Sequence, residues 1–563
     1  MLLFPFRYLW WLVSSIRRSI GNPPEFVIFV LEENLPALPD PPRSFWQRFI
    51  ARPRLSVKEL GERFDAIGRD QRIKGVVLHL RSPGMPMSTL QDLRELVADL
   101  RRSGKRVVAW APAYTTGTYY LACACDQILL MPSGMIGSLG FATSGMFLAD
   151  GLARFGISAD FVQVSPYKSA ADPLTKSKMS PELREQLTWL LESQYEELVG
   201  AIAEARSLDQ AGAKQLIDGS PYGDGDGIEK HAVDRVLAEE ELPAHLGRDA
   251  GNPVRIGTWE RAESKMRRPA PTLGRGKYVA LMRVEGTIID GHSGRLPARP
   301  PIDIPLVGED RAGDLSVVQL ARQVAADKRA AAAVLYVNSR GGSSTASEAM
   351  RAALQLVASR KPLVVVMGPV AASGGYDVAT PAAWIVARPG TLTGSIGVLG
   401  GKIVTGALWT KLLFNRETIA FGDHATMQSD ERPYSEEERE IQRKQIDHIY
   451  RGFLDVVARA RKMTPDEVHP IAQGKVWTGR QALERGLVDE MGGLESGARK
   501  ARTLAGLPDR APMREVRGPR RTIPPLAEPG AAGGWLAYLL EGLTLLSRAP
   551  ALAVMEYLPG ELT

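Results

Sequence analysis

The sequence is poor in the residues that form covalent cross-links and metal sites. Among 563 residues there are only two cysteines, Cys123 and Cys125, and seven histidines. On one strand the two cysteines would be too close in sequence for an ordinary disulfide, so we expect two small buried thiols. The histidines have no metal-ligand spacing, and neither H-E-x-x-H nor G-x-S-x-G occurs. We therefore predict no metal and no cofactor, and a serine hydrolase here would need a base other than histidine.

The sequence also lacks an apolar run of the roughly 20 residues that a membrane-spanning helix needs. Residues 2–15 are apolar and aromatic but contain an arginine, and no small-residue cleavage site follows them. The pattern predicts that segment 1–23 lies in the membrane interface, anchored by two adjacent tryptophans. The stretch from Trp535 to Leu546 has the same character. Packing on the protein or on a neighbouring subunit is the alternative for both segments.

Basic residues are not concentrated in any part of the chain. The net charge is +6, and the lysines and arginines form no stripe interleaved with aromatic residues, which argues against a nucleic-acid partner. The hydrophobic content of 44% and charged content of 24% are those of a globular protein. The length exceeds a single core and predicts two domains with tails.

What the sequence does contain is the same passage twice. Residues 115–140 and 372–397 align at a constant offset, which the loops at 81–84 and 338–341 also obey. Self-similarity on this scale indicates duplication of a whole domain. The predicted organisation is an N-terminal segment, two repeats joined by a linker, and a linker with an apolar tail; the bounds are 1–23, 24–261, 262–277, 278–507 and 508–563.

Both repeats alternate continuous apolar strands with amphipathic helices, which predicts an α/β fold with a parallel sheet and crossover helices. Two helix starts read as capping boxes, at Ser435–Glu438 and Thr464–Glu467. The predicted strands are Phe26–Leu31, Gly75–Leu80 and Arg106–Ala111 in the first repeat, and Tyr278–Arg283, Ala333–Val337 and Leu363–Met367 in the second.

Ser373 stands where a strand is followed by a sharp turn of small residues and then a helix. Free N–H groups at a helix N-terminus favour a developing negative charge, so Ser373 is a candidate nucleophile. A helix N-cap is the more common use of serine at such a position. The glycine pair Gly341-Gly342 follows the preceding strand and can offer backbone N–H groups to an oxyanion, although an ordinary Gly-Gly turn has the same sequence.

Lys168 follows an apolar run, Phe161 to Val164, in the first repeat. A lysine acts as a general base only if burial or nearby positive charge brings its pKa from ~10.4 down towards 7. A solvated surface charge is the alternative for this lysine.

Together these motifs resemble the long, duplicated form of signal peptide peptidase A, a family of Ser/Lys membrane-associated serine proteases. The similarity covers roughly residues 25–500. The motifs that carry it are ASGGY at 372–376, VNS-x-GG at 337–342, YKSA at 167–170, MSPE at 179–182 and AQGKVWTGRQALERGLVDEMG at 472–492.

The resemblance implies that Ser373 is the nucleophile and Lys168 the general base. It also implies two tandem crotonase-like domains related to the Clp protease, and assembly into a ring of protomers, expected to be a homo-tetramer. Expected substrates are apolar peptides such as signal-peptide remnants. The expected location is the bacterial inner membrane, with the catalytic domain on the periplasmic side.

The two repeats differ at the positions that this mechanism requires. The first has Thr116 in place of the serine and Thr118 in place of Gly375, and the second has no lysine near Gly422–Ala425. We interpret these complementary differences as evidence for one composite site built from both repeats.

With the family's mechanism, the N–H groups of Gly374 and of the Gly341-Gly342 loop would hold the oxyanion. Ser395 would orient Lys168, although Ser138 at the matching place in the first repeat equally suggests a turn serine. Arg340 replaces the family's usual proline in the glycine loop. Two alternatives remain at this point: an acyl-CoA-processing crotonase-type enzyme, and a catalytically inactive membrane-surface scaffold.

Overall fold

The structure is a computed structural model of the chain. It describes residues 8, 11, 21–40, 54–81, 84–247, 252–266, 276–294, 310–517 and 552–554. The predicted interfacial segment, apart from Tyr8, Trp11 and residues 21–23, and the apolar stretch 535–546 lie outside these residues. No helix among the described residues is both long and apolar enough to cross a membrane.

The described chain divides into two compact units. The first runs to Ala142 and resumes at Gln194, and the second contains Thr143–Ser193 and the chain from Gly276 onward. By sequence, Thr143–Ser193 falls within the predicted first repeat, 24–261. The limits of the repeats and of the compact units therefore differ, and the segment that carries Lys168 packs in the second unit.

The secondary structure alternates strands and helices along most of the described chain. The strands are β1 (Phe26–Leu31), β2 (Gly75–Leu80), β3 (Arg106–Tyr114), β4 (Gln127–Ile136), β5 (Ser158–Gln163), β6 (Tyr222–Gly223), β7 (Arg235–Val236), β8 (Ile256–Thr258), β9 (Tyr278–Glu285), β10 (Thr287–Ile289), β11 (Arg311–Gly313), β12 (Ala330–Ser339), β13 (Gly341–Ser343), β14 (Leu363–Ala372), β15 (Trp384–Ala387), β16 (Leu392–Gly394), β17 (Leu399–Val404), β18 (Val476–Thr478), β19 (Glu490–Met491), β20 (Met513–Glu515) and β21 (Leu552–Val554). The helices are α1 (Val57–Arg69), α2 (Met87–Arg102), α3 (Thr116–Ala122), α4 (Ala149–Phe155), α5 (Asp172–Thr175), α6 (Pro181–Arg206), α7 (Gln210–Asp218), α8 (Asp224–Glu229), α9 (Leu242–Leu246), α10 (Trp259–Lys265), α11 (Asp314–Ala326), α12 (Ser344–Ala358), α13 (Gly374–Asp377), α14 (Gly406–Lys411), α15 (Glu436–Arg461), α16 (Pro465–Val468), α17 (Gly479–Glu484) and α18 (Leu494–Leu504).

The first unit is built on a sheet in the order β6-β4-β3-β2-β1-β8, with β7 beside β4. Its central strands β1 to β4 are parallel. Every residue of β2, GVVLHL, is buried. Such a strand is covered on both faces, as the crossover helices of a parallel sheet require. Helix α1 shows the matching pattern, because its buried side chains recur at the spacing of one helical face.

The second unit contains two sheets. The larger has the order β18-β16-β14-β12-β9-β20, with β15 beside β14 and β19 beside β15, and its strands β9, β12 and β14 are parallel. The other has the order β11-β10-β13-β21-β17-β5. The predicted strands are confirmed, although the structure extends four of them by two to five residues. Both predicted capping boxes are also confirmed.

The two cysteines are free; Cys123 is buried and Cys125 is half-buried. Burial raises the pKa of the Cys123 thiol to about 11. Among the described residues no group of three or more side chains could hold a metal ion.

Candidate active site

Ser373 stands at a strained turn between β14 and α13. Its backbone angles are φ 56° and ψ −119°, a conformation that costs a non-glycine residue roughly 1–3 kcal/mol. The Ser373 N–H donates to the carbonyl of Gly394 (2.8 Å), which holds the turn in place. The serine side chain makes no capping hydrogen bond to α13, so the alternative of a simple N-cap does not apply. A strained strand-to-helix turn is the arrangement that presents a nucleophile in many hydrolases.

Lys168 is fully buried and lies directly beside this serine. Its Nζ is 2.8 Å from Ser373 Oγ, 2.9 Å from Ser395 Oγ and 3.0 Å from the carbonyl oxygen of Ser395. Lys168 is therefore not a solvated surface charge. Burial in general disfavours the charged form of an amine, and the neutral form is the one that can accept a proton from a hydroxyl.

Two antiparallel strands of the second unit bring Lys168 to this position. Strand β5 pairs with β17 along its whole length, from Ser158 opposite Val404 to Gln163 opposite Leu399. The pairing continues beyond β5, because the N–H of Val164 donates to the carbonyl of Val398 (3.1 Å). The lysine follows four residues later. Lys168 and Ser373 thus come from one chain and one compact unit.

Gly474 packs closely against Lys168, although no pattern in the sequence assigned it a role. Its φ is +79°, and a Cβ at this position would lie 2.7 Å from both Cα and Cβ of Lys168. The Gly474 N–H donates to the carbonyl of Ile396 (2.8 Å), and the Ser395 N–H donates to the carbonyl of Lys475 (2.7 Å). The available signal was the stretch 472–492, which carried the family resemblance without revealing this contact. Only glycine fits this backbone and this contact distance.

The glycine loop lies beside Ser373. Strand β12 pairs with β14 so that Ser339 is opposite Ala371, and Gly341 and Ser373 each follow two residues later. Gly341 and Gly342 have φ of +100° and +153°, and a Cβ on Gly342 would lie 2.0 Å from the carbonyl oxygen of Ile288. The loop therefore requires glycine at Gly342.

The N–H groups of this region differ in what they bind. Gly341 donates to Ser339 Oγ (3.1 Å), and Ser339 Oγ donates to the carbonyl of Gly286 (2.6 Å). The N–H of Gly374, by contrast, has no acceptor among the residues that the structure describes. Of these two predicted oxyanion donors, Gly374 is the one whose N–H is unoccupied. Gly375 packs tightly, because a Cβ there would lie 2.5 Å from the carbonyl oxygen of Ser339.

Comparison with known proteins places this chain in a family. The sequence profile of peptidase family S49 matches residues 99–251 and, separately, residues 355–508, which together exceed half of the chain. The chain belongs to peptidase family S49. The double match confirms the internal duplication, and a member of this family is a serine peptidase, a hydrolase that acts on peptides.

The relatives cover most of the chain. Protease 4 from Salmonella typhi is 33% identical over 78% of this chain and 70% of its own length. The chloroplastic serine protease SPPA from Arabidopsis thaliana is 29% identical over 84% of this chain and 69% of its own. Protease 4 from Haemophilus influenzae is 28% identical over 77% and 71%. The predicted resemblance to signal peptide peptidase A is thereby confirmed for this S49 chain.

A solved structure, that of a ClpP1 point mutant from Listeria monocytogenes, covers 39% of this chain and 94% of its own, with 14% identity and a TM-score of 0.23. The fold class rests on the S49 matches and on the sheets themselves. The chain has two tandem S49 repeats with α/β architecture, as predicted.

Proposed function

We propose that Ser373 and Lys168 form the catalytic dyad of this S49 serine peptidase. One observation carries the proposal: the amine and the hydroxyl lie 2.8 Å apart, and both side chains are fully buried. This distance is within the hydrogen-bond reach that a general base needs to take a proton from a nucleophile.

The geometry supports an acyl-enzyme mechanism. Lys168 Nζ takes the proton of Ser373 as Oγ attacks the carbonyl carbon of the scissile bond. The N–H of Gly374 stabilises the resulting oxyanion, since a preformed donor in a water-poor site lowers the barrier strongly. The lysine ammonium then gives its proton to the departing amine. Water, deprotonated in turn by Lys168, hydrolyses the ester and restores the serine.

Ser395 and Gly474 are positioning residues in this scheme. The hydroxyl and the carbonyl of Ser395 are both within hydrogen-bond distance of the lysine amine, so they fix its direction relative to Ser373. Gly474 contacts the backbone and stem of Lys168 and fixes its distance. Neither residue touches the scissile bond.

Apolar peptide segments are the substrate class that the surroundings of Ser373 favour. Ala372, the residue before the nucleophile, belongs to an apolar cluster with Leu392 and Val476. Half-buried Phe147, Met179, Trp189 and Val370 pack against this cluster. Signal-peptide remnants have this character. We therefore propose that the enzyme degrades such remnants at the periplasmic surface of a bacterial inner membrane.

Large exposed apolar side chains in the second unit support contact with a membrane or with other protomers. Leu413, Ile419 and Phe421 are each more than four-fifths exposed. Soluble monomers rarely leave extensive apolar surface of this kind in water. We propose a homo-tetramer at the membrane surface as the working assembly.

The dyad is tested with a serine-reactive probe, a peptide fluorophosphonate, followed by mass spectrometry of the labelled peptide. Wild type is compared with Lys168→Ala, with Ser373→Ala and with Thr116→Ala, the matching change in the other repeat. We expect an adduct on Ser373 in wild type and in Thr116→Ala, and none in the two dyad variants. Labelling of Ser373 at an undiminished rate in Lys168→Ala would exclude the lysine as the base.

The same experiment addresses the alternatives from the sequence. Family S49 membership favours peptide hydrolysis over acyl-CoA thioester chemistry. The thioester alternative would use acidic residues as acid and base. The buried carboxylate of α13, Asp377, pairs with Arg351 (3.4 Å) and not with a second carboxylate, and burial raises the pKa of Asp377 to about 7. An inactive scaffold would leave Ser373 unlabelled in a folded, assembled sample.

A further inference from the structure

The turn that carries Gly474 contains a second residue with a left-handed backbone. Gln473 and Gly474 have φ of +56° and +79°, and the N–H of Lys475 donates to the carbonyl of Ala472 (2.9 Å). Two successive positive φ values inside such a hydrogen bond are the pattern of a type I′ turn, whose central positions are usually glycine, asparagine or aspartate. Gln473 is none of these. A residue in this conformation persists only where its surroundings hold it, so the contacts of Gln473 decide whether the turn keeps its shape.

A buried tyrosine holds the N–H of Gln473. Tyr450 lies on the buried face of α15, and its hydroxyl accepts the Gln473 N–H (3.1 Å). The same hydroxyl lies 3.2 Å from Nδ1 of His469, whose Nε2 lies 3.1 Å from Nε2 of Gln473. Burial raises the pKa of the Tyr450 hydroxyl, so the hydroxyl keeps its proton around neutral pH. Tyr450 thus binds the backbone of the strained residue, and His469 binds its side chain.

A serine close to Lys168 holds the carbonyl of the same residue. Ser165 Oγ donates to the carbonyl of Gln473 and accepts the N–H of Tyr167 (3.2 Å). The carbonyl of Ser165 accepts the N–H of Lys168 (3.1 Å). Ser165 therefore closes the turn that leads into the lysine and joins that turn to Gln473. Both backbone polar groups of Gln473 have side-chain partners, one from α15 and the other from the lysine segment.

The two turns meet at the proposed base. Gly474, the residue after Gln473, packs against Cα and Cβ of Lys168. The carbonyl of Lys475 accepts the N–H of Ser395 (2.7 Å), and Ser395 in turn binds the lysine amine. A change of φ at Gln473 would rotate both Gly474 and Lys475. It would therefore alter both contacts that fix the lysine.

We propose that Tyr450 and Ser165 are positioning residues for Lys168, which act by holding Gln473 in its left-handed conformation. The inference rests on the proposed function of the dyad, because a displaced lysine slows the reaction only if it is the base. A general base must lie within hydrogen-bond reach of the hydroxyl that it deprotonates, and a displacement of about 1 Å can cost about 10²-fold in rate. The loss of one of several hydrogen bonds should cost less, about tenfold.

The test measures the rate at which a peptide fluorophosphonate labels Ser373 in the full-length protein, across the neutral and alkaline pH range. Tyr450→Phe keeps the ring and removes only the hydroxyl. Its matched control is Tyr434→Phe, because Tyr434 is equally buried in the same unit and its hydroxyl binds Gln428 (3.0 Å), outside the Gln473 turn. We expect Tyr450→Phe and Ser165→Ala to label about tenfold more slowly at neutral pH, and Tyr434→Phe to label as wild type does.

The dependence on pH separates positioning from general structural damage. A lysine that leaves its buried place regains water and keeps its proton to higher pH, since burial disfavours the charged form of an amine. The deficit of Tyr450→Phe should therefore shrink as the pH rises. A deficit of the same size at every pH, no deficit, or an equal deficit in Tyr434→Phe overturns the inference.

A second readout does not depend on catalysis. The Gly474 N–H donates to the carbonyl of Ile396, a bond that Tyr450→Phe does not remove. Amide hydrogen exchange at Gly474 is measured in a Ser373→Ala background with and without Tyr450→Phe. Faster exchange with the phenylalanine supports the proposal, and unchanged exchange contradicts it. Failure of the dyad gives a different result, because Lys168→Ala then labels as fast as wild type while the exchange measurement still decides whether Tyr450 holds the turn.

Discussion

A buried tyrosine performs the same structural task in each unit. In the first unit the hydroxyl of Tyr119 donates to the carbonyl of Ala232 (2.7 Å), and in the second Tyr376 donates to Leu487 (2.9 Å). The two tyrosines occupy the same place in the repeated passage. In both units the bond ties the helix after the turn to a segment more than 100 residues further along the chain.

An arginine–aspartate pair repeats in the same way. Arg206 binds Asp234 in the first unit and Arg461 binds Asp489 in the second, at 2.7 and 2.6 Å. In each unit the aspartate also accepts a backbone N–H from the adjoining strand. The scaffold has therefore been retained in both copies.

The turn that carries the proposed nucleophile, by contrast, differs between the two copies. Ser373 has a φ of +56° and stands outside helix α13, whereas Thr116 is the first residue of α3 and has no positive φ. Thr116 Oγ1 bonds to the backbone N–H and C=O of Gly140 (3.2 and 3.1 Å). A β-branched residue rarely adopts a positive φ, so the threonine copy has relaxed. At this turn, the strained backbone is found in the copy that brings a hydroxyl close to an amine, and Thr116 in the other copy lacks it.

The largest expected difference between the copies is in turnover. Ser373→Ala and Lys168→Ala should each lower kcat by about 10³-fold or more, because either change removes the proton transfer on which attack depends. The matched changes Thr116→Ala and Ser138→Ala should leave kcat within about twofold, because neither side chain takes part in the proposed chemistry. Peptidase assays on folded, assembled protein measure both. A loss in Thr116→Ala equal to that in Ser373→Ala would show that the copies share the chemistry.

Gly474→Ala should have the next largest effect. The new methyl group would lie 2.7 Å from Cα and Cβ of Lys168 and force the lysine away from Ser373. A displacement of about 1 Å at a catalytic group can cost about 10²-fold in kcat.

The control for Gly474→Ala is Gly104→Ala in the first unit. Gly104 has a φ of +83° and no heavy atom within 4 Å of an added Cβ, so it has the same backbone cost without the contact. Both variants should lower the thermal unfolding temperature, because both place a side chain at a positive φ. Only Gly474→Ala should lower kcat, because only there does the new methyl group displace Lys168. A similar loss of kcat in both variants would attribute the effect to backbone strain alone.

Ser395→Ala should lower kcat about tenfold, the loss expected for one hydrogen bond to the lysine amine. The carbonyl of Ser395 remains 3.0 Å from Nζ, so orientation is only partly lost. KM should not change, because the serine does not contact substrate in the proposed scheme. The pH dependence of kcat should shift, whereas general structural damage would lower kcat equally at every pH.

Much of this site could be predicted from the sequence. The repeated passage identified the strand-to-helix turn at Ser373, and the asymmetry between the repeats singled out Lys168. These are local patterns, and the buried strands around them, such as Gly75–Leu80, are recognisable because nearly every residue is apolar or small.

The rest depends on contacts between residues far apart in sequence. The pairing of β5 with β17 carries Lys168 into the second unit, and it joins strands that lie far apart along the chain. The contact of Gly474 with Lys168 and the insertion of β21 are of the same kind. No periodicity within either segment indicates such a partner, since strand patterns fix which face is buried but not which strand lies alongside.

The smallest expected effect on turnover concerns the start of helix α15. Glu438 binds Arg432 through both carboxylate oxygens (2.6 and 2.7 Å) and accepts the N–H of Ser435 (2.8 Å). These contacts, chiefly that with Arg432, lower the pKa of Glu438 from 4.5 to about 2. A carboxyl whose pKa is lower in the folded state stabilises the fold above its unfolded pKa, and this contribution is lost as the pH falls from about 4.5 to 2.

Glu438→Gln should therefore reduce the free energy of unfolding by about 2 kcal/mol at pH 7 and by much less near pH 2.5, with kcat unchanged. The matched variant is Glu59→Gln in the first unit, where the capping box is made with Ser56. That change should cost less than about 1 kcal/mol, because glutamine at this position also completes a capping box. Urea unfolding at both pH values distinguishes the two carboxylates. The difference in free energy of unfolding between Glu438→Gln and wild type should narrow at low pH. If it does not, the ion pair with Arg432 is not the source of the difference, and hydrogen bonding at the helix start accounts for the effect of both substitutions.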